Sequence, residues 1–150
     1  MKPRWVALVL CLGLAFSHPF SGSGGFVEGQ VDFEPNDATP VAGRATVAWI
    51  EYIRVGRLFI NPQDCFCTLL FYQGRVSATI QPDAQVRMQF NPRTGRMEGV
   101  VKFPKPGPYF LVLMGRPMPG KRVPPFIMHS IIQVFWTYAV LKIPDKMGLR

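Results

Sequence analysis

Two cysteines one residue apart, Cys65 and Cys67, are the residues of this 150-residue chain whose type and spacing most readily suggest chemistry. They begin the apolar run "CFCTLLFYQ". On a β-strand both side chains would point to one face and Phe66 to the other, with the cysteine Cα atoms about 6.6 to 6.8 Å apart. That separation is near the upper limit for a disulfide. Three interpretations are therefore open: a local or intermolecular disulfide, a pair of buried reduced thiols, or a metal site.

Copper is the metal that these residue types favour. Two thiolates alone do not complete the tetrahedral shell of zinc, and the sequence contains no second cysteine pair. Thiolate and thioether ligands select Cu(I). Five methionines of the later chain offer thioether sulfur: Met88, Met97, Met114, Met118 and Met128. Because methionine also fills apolar cores, these residues support a copper site only where the fold closes a suitable geometry around the metal.

The sequence lacks catalytic motifs and predicts a non-catalytic protein. A Ser/His/Asp triad would have to use His18 or His129, and there is no GxSxG nucleophile elbow. The "GSGG" before Phe26 lacks the flanking strand and helix of a phosphate-binding loop. The carboxylates are scattered singly, so they do not form a glycosidase pair by sequence position.

The first seventeen residues have the pattern of an export signal. Lys2 and Arg4 precede an apolar run over 5–16, and the tripeptide "AFS" ending at Ser17 is small where a signal peptidase reads. Two interpretations are open. Cleavage after Ser17 predicts a periplasmic or secreted protein, whereas an uncleaved segment would tether the protein to the membrane. In both cases, residues 18–25 with their "SGSGG" predict a flexible linker.

Positive charge is concentrated in the later half of the chain. The formal net charge is +8, and removal of the two cations Lys2 and Arg4 with the signal would leave +6. Arg116, Lys121 and Arg122 lie in "MGRPMPGKRVPPF", which makes them candidate partner contacts. A cationic half suits an anionic lipid headgroup, a cell-wall polymer or an acidic protein, and it is also typical of an ordinary solvated surface. The dispersed arginines and the missing recognition motif argue against nucleic acid.

Short alternating apolar stretches between proline and glycine turns predict an all-β fold. Seven or eight antiparallel strands over residues 26–143 would form a sandwich or a small barrel, followed by a tail over 144–150. The stretch "RVSATI" is interpreted as one strand, and "NPRTG" as the turn of a hairpin. The apolar pattern over 126–143 is rich in β-branched residues and interrupted by polar ones, so it predicts a strand rather than a membrane span.

Eight residues are predicted to contribute to the core of this fold because of their strand context. They are Trp49, Phe71, Phe90, Val101, Tyr109, Leu111, Val134 and Trp136.

From "PVAGRATVAW" through "GVVKFPKPGPYFLVLMG", the chain resembles the immunoglobulin-like sandwich modules of bacterial extracytoplasmic proteins, including the transthyretin-like, YtkA-like and CopC-like domains. Pro-Gly-x-Tyr in "PGPYFLV" is similar to the tyrosine corner of such sandwiches. The resemblance implies an immunoglobulin-like β-sandwich in which the Tyr109 hydroxyl bonds the backbone of the preceding loop. Two features depart from the family: no cysteine pair joins facing strands, and the histidines of the copper proteins are mostly missing.

The resemblance also implies a copper site at the N-terminus. Cleavage after Ser17 would make His18 the first residue, and its amine and imidazole would chelate Cu(II), as the N-terminal histidine of CopC-like proteins does. Two functional hypotheses follow. The first is an exported, non-catalytic β-sandwich module that binds another component of the cell envelope. The alternative is a periplasmic copper-binding or copper-delivery protein that uses Cys65, Cys67 and His18.

Overall fold

The structure is a computed structural model that describes residues 18–21, 27–35 and 40–136. Within those ranges the chain forms ten β-strands and one 3-10 turn, Pro62–Asp64, with no α-helix. The strands are β1 His18–Ser21, β2 Val27–Glu34, β3 Ala45–Val55, β4 Leu58–Phe59, β5 Cys65–Tyr72, β6 Ala84–Arg87, β7 Gln89–Asn91, β8 Arg96–Lys102, β9 Gly107–Pro117 and β10 Phe126–Val134. The predicted all-β class is confirmed.

The strands form one antiparallel hydrogen-bonded path that folds into two facing layers. The order is β6-β5-β9-β10-β1-β2-β3-β8-β7, and β4 pairs beside β3. The two ends of the path, β6 and β7, are separated in the chain by Met88 alone. The Met88 amide donates to the Cys67 carbonyl at 2.9 Å, so this segment connects β5 in one layer with β8 in the other.

Aromatic side chains hold the two layers together. Phe71 from β5 and Phe103 after β8 meet edge to face with their ring centroids 5.0 Å apart. Phe33 from β2 lies 6.4 Å from each of these rings, and Tyr109 from β9 lies 5.2 Å from Phe103. All four side chains are fully buried. This cluster contributes both buried apolar area and favourable ring geometry to the contact between the layers.

Five of the eight predicted core residues are buried, and three predictions are wrong. The buried residues are Phe71, Val101, Tyr109, Leu111 and Val134. Trp49 is only half-buried because its neighbours Ala48 and Ile50 take the inward positions of β3. Its ring instead lies on the outer surface, with the Arg96 guanidinium 4.1 Å from the ring centroid.

The other two errors fall at the ends of strands. Phe90 is 40% exposed on β7, a strand of three residues that ends the hydrogen-bonded path. Trp136 is 74% exposed and lies two residues after Val134, where β10 ends. Neither residue has a neighbouring described strand on both sides to cover its side chain.

A predicted turn and a predicted strand have different outcomes. The "NPRTG" hairpin is present between β7 and β8, where Gly95 takes the positive φ of 70° and its amide donates to the Asn91 carbonyl. By contrast, residues 75–80 form an irregular segment with a turn at 78–79 rather than the expected strand. The Thr79 amide donates to the Ser77 hydroxyl, a local hydrogen bond that competes with strand pairing.

The predicted boundaries near the two termini are described only in part. Residues 18–21 form β1, which pairs with β10 and β2, where the sequence predicts a linker over 18–25. The signal segment over 1–17, the rest of that linker and the tail over 144–150 lie outside the described residues. Within the described ranges, no helix has the length and apolar character needed to cross a membrane.

Candidate functional site

Strand β5 places the two cysteines and Phe66 on opposite faces. Asn61 begins the preceding 3-10 turn by accepting a hydrogen bond from the Gln63 amide at 3.1 Å. The chain then becomes extended at Cys65, with φ −130° and ψ 150°. Cys65 and Cys67 point inward and are fully buried, as the period of a strand requires, whereas Phe66 faces outward.

The two cysteines are free thiols that interact with each other and with the chain. The Cys65 thiol donates to the Pro62 carbonyl oxygen at 3.3 Å. A hydrogen bond from Cys67 lowers the pKa of Cys65, although burial and the nearby Asp64 carboxylate oppose this effect. The same bond raises the pKa of Cys67, and burial raises it further. Cys67 therefore keeps its proton, and Cys65 is the thiol that ionises first.

Three of the five candidate methionines lie around one cavity beside Cys65. The cavity has a volume of about 380 Å³, and its lining includes Cys65, Met88, Met97 and Met118. Met128 is buried elsewhere in the core, against Gly29, and Met114 is exposed on the outer face of β9. The described residues contain no group of three or more His, Cys, Asp or Glu side chains that could hold a metal ion. Any metal in this cavity would therefore depend on thioether ligands.

The histidines are not on strands adjacent to the cysteines. His18 begins β1, and both β9 and β10 lie between β1 and β5 in the sheet. Three strand spacings correspond to about 14 Å between the backbones. His129 is exposed on β10. The described structure therefore does not bring His18 to Cys65 and Cys67 as one set of ligands, and cleavage after Ser17 lies outside the described ranges.

On the outer face, two arginines contact the ring of Phe66. Arg116 is the partner of Phe66 across the β5–β9 ladder, and its guanidinium carbon lies 5.2 Å from the ring centroid. Arg87 is the partner of Thr68 across the β5–β6 ladder, with its guanidinium carbon 5.3 Å from the same ring. Neither arginine has a described carboxylate within ion-pair distance. The aromatic ring thus holds two cations in place without neutralising them.

These arginines border an apolar groove of about 780 Å³. Its lining residues come from five strands and one loop: Val27, Phe66, Thr68, Arg87, Met114, Gly115, Arg116, Pro125, Phe126 and Ile127. Met114 and Ile127 are partners across the β9–β10 ladder and are 41% and 53% exposed. Phe110 and Ile131, a second exposed pair on the same two strands, add apolar surface farther from the arginines, beyond the exposed His129.

Gly115 allows the wall of the groove to pack closely. A Cβ atom at this position would overlap the ring of Phe126, the partner of Gly115 in β10. The absence of a side chain at Gly115 therefore lets the Phe126 ring cover the β9 backbone.

An exposed hairpin lies at the same end of the domain as the groove. Val27 at the edge of the groove pairs with Val55, which in turn pairs with Leu58. The turn between Val55 and Leu58 carries the exposed Arg57, and Phe59 beyond it is 67% exposed. This end of the domain therefore combines large apolar side chains with positive charge.

The three partner contacts predicted from the sequence have different surroundings. Arg116 lines the groove. Lys121 forms an ion pair with Asp64 at 2.9 Å, so part of its charge is already balanced. Arg122 is exposed in the loop between β9 and β10. Arg87 was missed because only the pairing of β5 with β6, which no local pattern specifies, brings it to Phe66.

Tyr109 makes the hydrogen bond that the resemblance implies. Its hydroxyl donates to the Lys105 carbonyl at 2.8 Å and accepts from the Lys105 amide at 3.4 Å. Burial raises the pKa of Tyr109, while the hydrogen bond that its oxygen accepts from the Lys105 amide opposes that shift. The residue lies in the core, outside the groove, so its role there is structural.

No protein-family model, curated protein or solved structure matches the chain. The resemblance to immunoglobulin-like modules therefore stays a prediction, and functional inference rests on the chain's own geometry.

Proposed function

We propose that the protein is an exported, non-catalytic β-module that binds another component of the cell envelope, and that this component is an anionic lipid. The observation that carries the proposal is the pair of arginines on Phe66 at the border of an apolar groove. An immunoglobulin-like sandwich is the form of the fold that we favour, because of the facing antiparallel layers and the Tyr109 hydrogen bond.

The groove has the size and composition of a binding site for a small amphiphile. Ligand pockets commonly measure about 300 to 1,000 Å³ and combine an apolar lining with a few polar groups that fix orientation. Met114 and Ile127 would contact the acyl chain, and the two guanidinium groups would contact the phosphate of the headgroup. This division of apolar and cationic surface favours an anionic lipid over a cell-wall polymer, which lacks an acyl chain.

The surroundings of the groove support the same ligand. Leu58 and Phe59 are exposed beside Arg57 at the same end of the domain, and apolar side chains next to basic ones are typical of protein surfaces that bind anionic membranes. An acidic protein partner would also satisfy the arginines. However, it would not need the apolar surface to extend as far as Phe110 and Ile131.

Titration with short-chain lipids below their micellar concentration tests the proposal. The full chain should bind dihexanoyl phosphatidylglycerol more tightly than dihexanoyl phosphatidylcholine, because only the first carries net negative charge. An ion pair at a partly exposed site contributes up to about 1 kcal/mol. The double variant Arg87→Gln with Arg116→Gln should therefore weaken phosphatidylglycerol binding by up to about 2 kcal/mol, or roughly 30-fold.

A matched control separates the groove from net charge. Arg75→Gln with Lys102→Gln removes the same two positive charges at the opposite end of the domain, where both residues are exposed. This variant should bind phosphatidylglycerol as the unmodified chain does. Equal losses in the two double variants would show that only overall charge matters. Equal affinities of the unmodified chain for the two lipids would contradict the proposal directly.

A further inference from the structure

The cavity beside Cys65 contains more sulfur than the two neighbouring cysteines alone would suggest. One thiol and three thioethers belong to its lining, namely Cys65, Met88, Met97 and Met118. Cys65, Met88 and Met97 are buried in the hydrophobic core, and Met118 is half-buried. The four residues come from β5, the β6–β7 junction, β8 and the residue after β9, so tertiary structure alone unites them.

Backbone hydrogen bonds fix two of the methionines beside the cysteines. The Met88 amide donates to the Cys67 carbonyl at 2.9 Å, which places Met88 across from β5. The Met118 amide donates to the Asp64 carbonyl at 2.9 Å, immediately before Cys65. Both main-chain positions are therefore set before any ligand binds, which lowers the entropic cost of assembling a site.

The chemistry of these side chains selects a soft metal ion. Thiolate and thioether sulfur are ligands for Cu(I), whereas Zn²⁺, Mg²⁺ and Ca²⁺ sites rely on imidazole, several thiolates or carboxylate oxygen. The carboxylate nearest in sequence, Asp64, forms an ion pair with Lys121. Methionines that serve only as core filler are usually enclosed by other side chains on every side. Here they border a cavity of about 380 Å³.

We propose that Cys65, Met88, Met97 and Met118 form a binding site for one Cu(I) ion. Binding would replace the Cys65 thiol proton with the metal and release that proton to solvent. Cys67 does not belong to the cavity lining and His18 is not required, so the site differs from one built on the cysteine pair. Phe66 and Arg87 border both this cavity and the groove, but none of the four sulfur residues lines the groove, so the Cu(I) inference does not rest on lipid binding.

Anaerobic competition with the Cu(I) chelator bicinchoninate tests this site. The full chain would carry Cys11→Ser, which removes the thiol of the N-terminal segment. It should withdraw one equivalent of Cu(I) from the chelator, and X-ray absorption should show a first shell of sulfur. Cys65→Ser should lose about a hundredfold or more in affinity, and Met118→Leu about tenfold, because each removes one sulfur ligand.

Matched variants distinguish ligation from packing. Met88→Leu should weaken Cu(I) binding, whereas Met128→Leu, which alters an equally buried methionine outside the cavity, should leave it unchanged. Met114→Leu is the corresponding control for Met118→Leu, since Met114 lies on the outer face. Thermal unfolding shows whether each variant folds, and the half-buried Met118 keeps the test decisive if Cys65→Ser does not fold.

Three outcomes would overturn the inference. The chain would fail to compete with bicinchoninate, or the control variants would weaken binding as much as Met88→Leu and Met118→Leu do. The third outcome is that Cys67→Ser abolishes binding as completely as Cys65→Ser. That result would assign the metal to the cysteine pair instead of the thioether cavity.

Discussion

The two faces of β5 differ in both chemistry and burial. Its inner face carries Cys65, Cys67, Leu69 and Phe71, all fully buried. Its outer face carries Phe66, which is half-buried beneath two guanidinium groups. The inner side chains contribute to stability through close packing, and the outer ones leave surface for a ligand. The alternation of side chains along one strand of eight residues thus separates enclosed residues from those that can meet a ligand at the surface, and Cys65 is the inner residue that borders the sulfur-lined cavity.

The comparison also shows that the cysteine motif does not by itself locate the surface that we propose as the lipid site. The cysteine pair is the most conspicuous feature of the sequence, yet both thiols are enclosed in the core. Phe66, the residue between them, is where Arg87 and Arg116 meet. Phe66, which separates the two cysteines in the sequence, therefore contacts both arginines of the surface that we propose as the lipid site.

The largest expected loss of stability comes from Phe71→Ala on the inner face of β5, and Phe66→Ala on the outer face is its matched comparison. Phe71→Ala should lower the free energy of unfolding by about 3 to 5 kcal/mol, because it opens a cavity beside Phe33 and Phe103. Phe66→Ala should cost less than about 1.5 kcal/mol, because its ring is only half-buried, and should instead weaken phosphatidylglycerol binding. Urea unfolding and lipid titration measure the two effects. Similar losses of unfolding free energy in Phe71→Ala and Phe66→Ala would contradict the proposed difference between the two faces of β5.

A smaller effect is expected from the buried hydroxyl of Tyr109. Tyr109→Phe should lower the free energy of unfolding by about 1 kcal/mol at neutral pH, because the hydrogen bond to the Lys105 carbonyl is lost. Lipid affinity should be unchanged, since Tyr109 does not line the groove. An unaltered unfolding midpoint would mean that this bond adds nothing to stability.

The contribution of Tyr109 to the free energy of unfolding should decrease as pH rises above 10. Burial raises the pKa of Tyr109 above its ordinary value of 10.0. As pH rises past 10, the tyrosine therefore ionises in the unfolded chain while the folded chain keeps the proton, which favours unfolding. The stability advantage of the unmodified chain over Tyr109→Phe should shrink in this range. Urea unfolding of both chains above pH 10 checks this, and an advantage that grows with pH would contradict the stated direction.

The smallest expected effect distinguishes Lys121 from Arg116, which the sequence predicts equally as partner contacts. Lys121→Gln should change stability by about 0 to 1 kcal/mol, because its ion pair with Asp64 is partly exposed to solvent. It should also reduce phosphatidylglycerol affinity less than Arg116→Gln does, since Asp64 already balances the lysine. The two single variants titrated with the same lipid provide the comparison. A larger loss in Lys121→Gln would place the lipid at the β9–β10 loop rather than in the groove.

Features that depend on local pattern were predictable from the sequence. The opposite orientation of Phe66 and its flanking cysteines follows from the period of a strand, and the positive φ of Gly95 follows from its place in the turn. The outward position of Trp49 was harder to predict because apolar residues occupy both faces of β3. In such a strand the local pattern does not decide which face is covered.

Features that depend on contacts between distant segments were not predictable. Arg87 and Arg116 reach Phe66 only through the registers of two different ladders. Met118 reaches Cys65 only because β9 ends beside the start of β5. Residues 75–80 were mispredicted for a local reason. Their alternating pattern predicts a strand, but the Thr79 amide donates to the Ser77 hydroxyl, and this local bond competes with strand pairing.

Nuclear Overhauser contacts between dihexanoyl phosphatidylglycerol and the side-chain methyl groups test the central claim most directly. Acyl-chain protons should give cross-peaks to Met114 and Ile127, which are exposed in the groove, and none to Leu69 or Met128, which are fully buried. This pattern would locate the lipid on the outer face of the β5–β9–β10 layer. Cross-peaks confined to residues outside the groove, or no cross-peaks at lipid concentrations that saturate binding, would contradict the account.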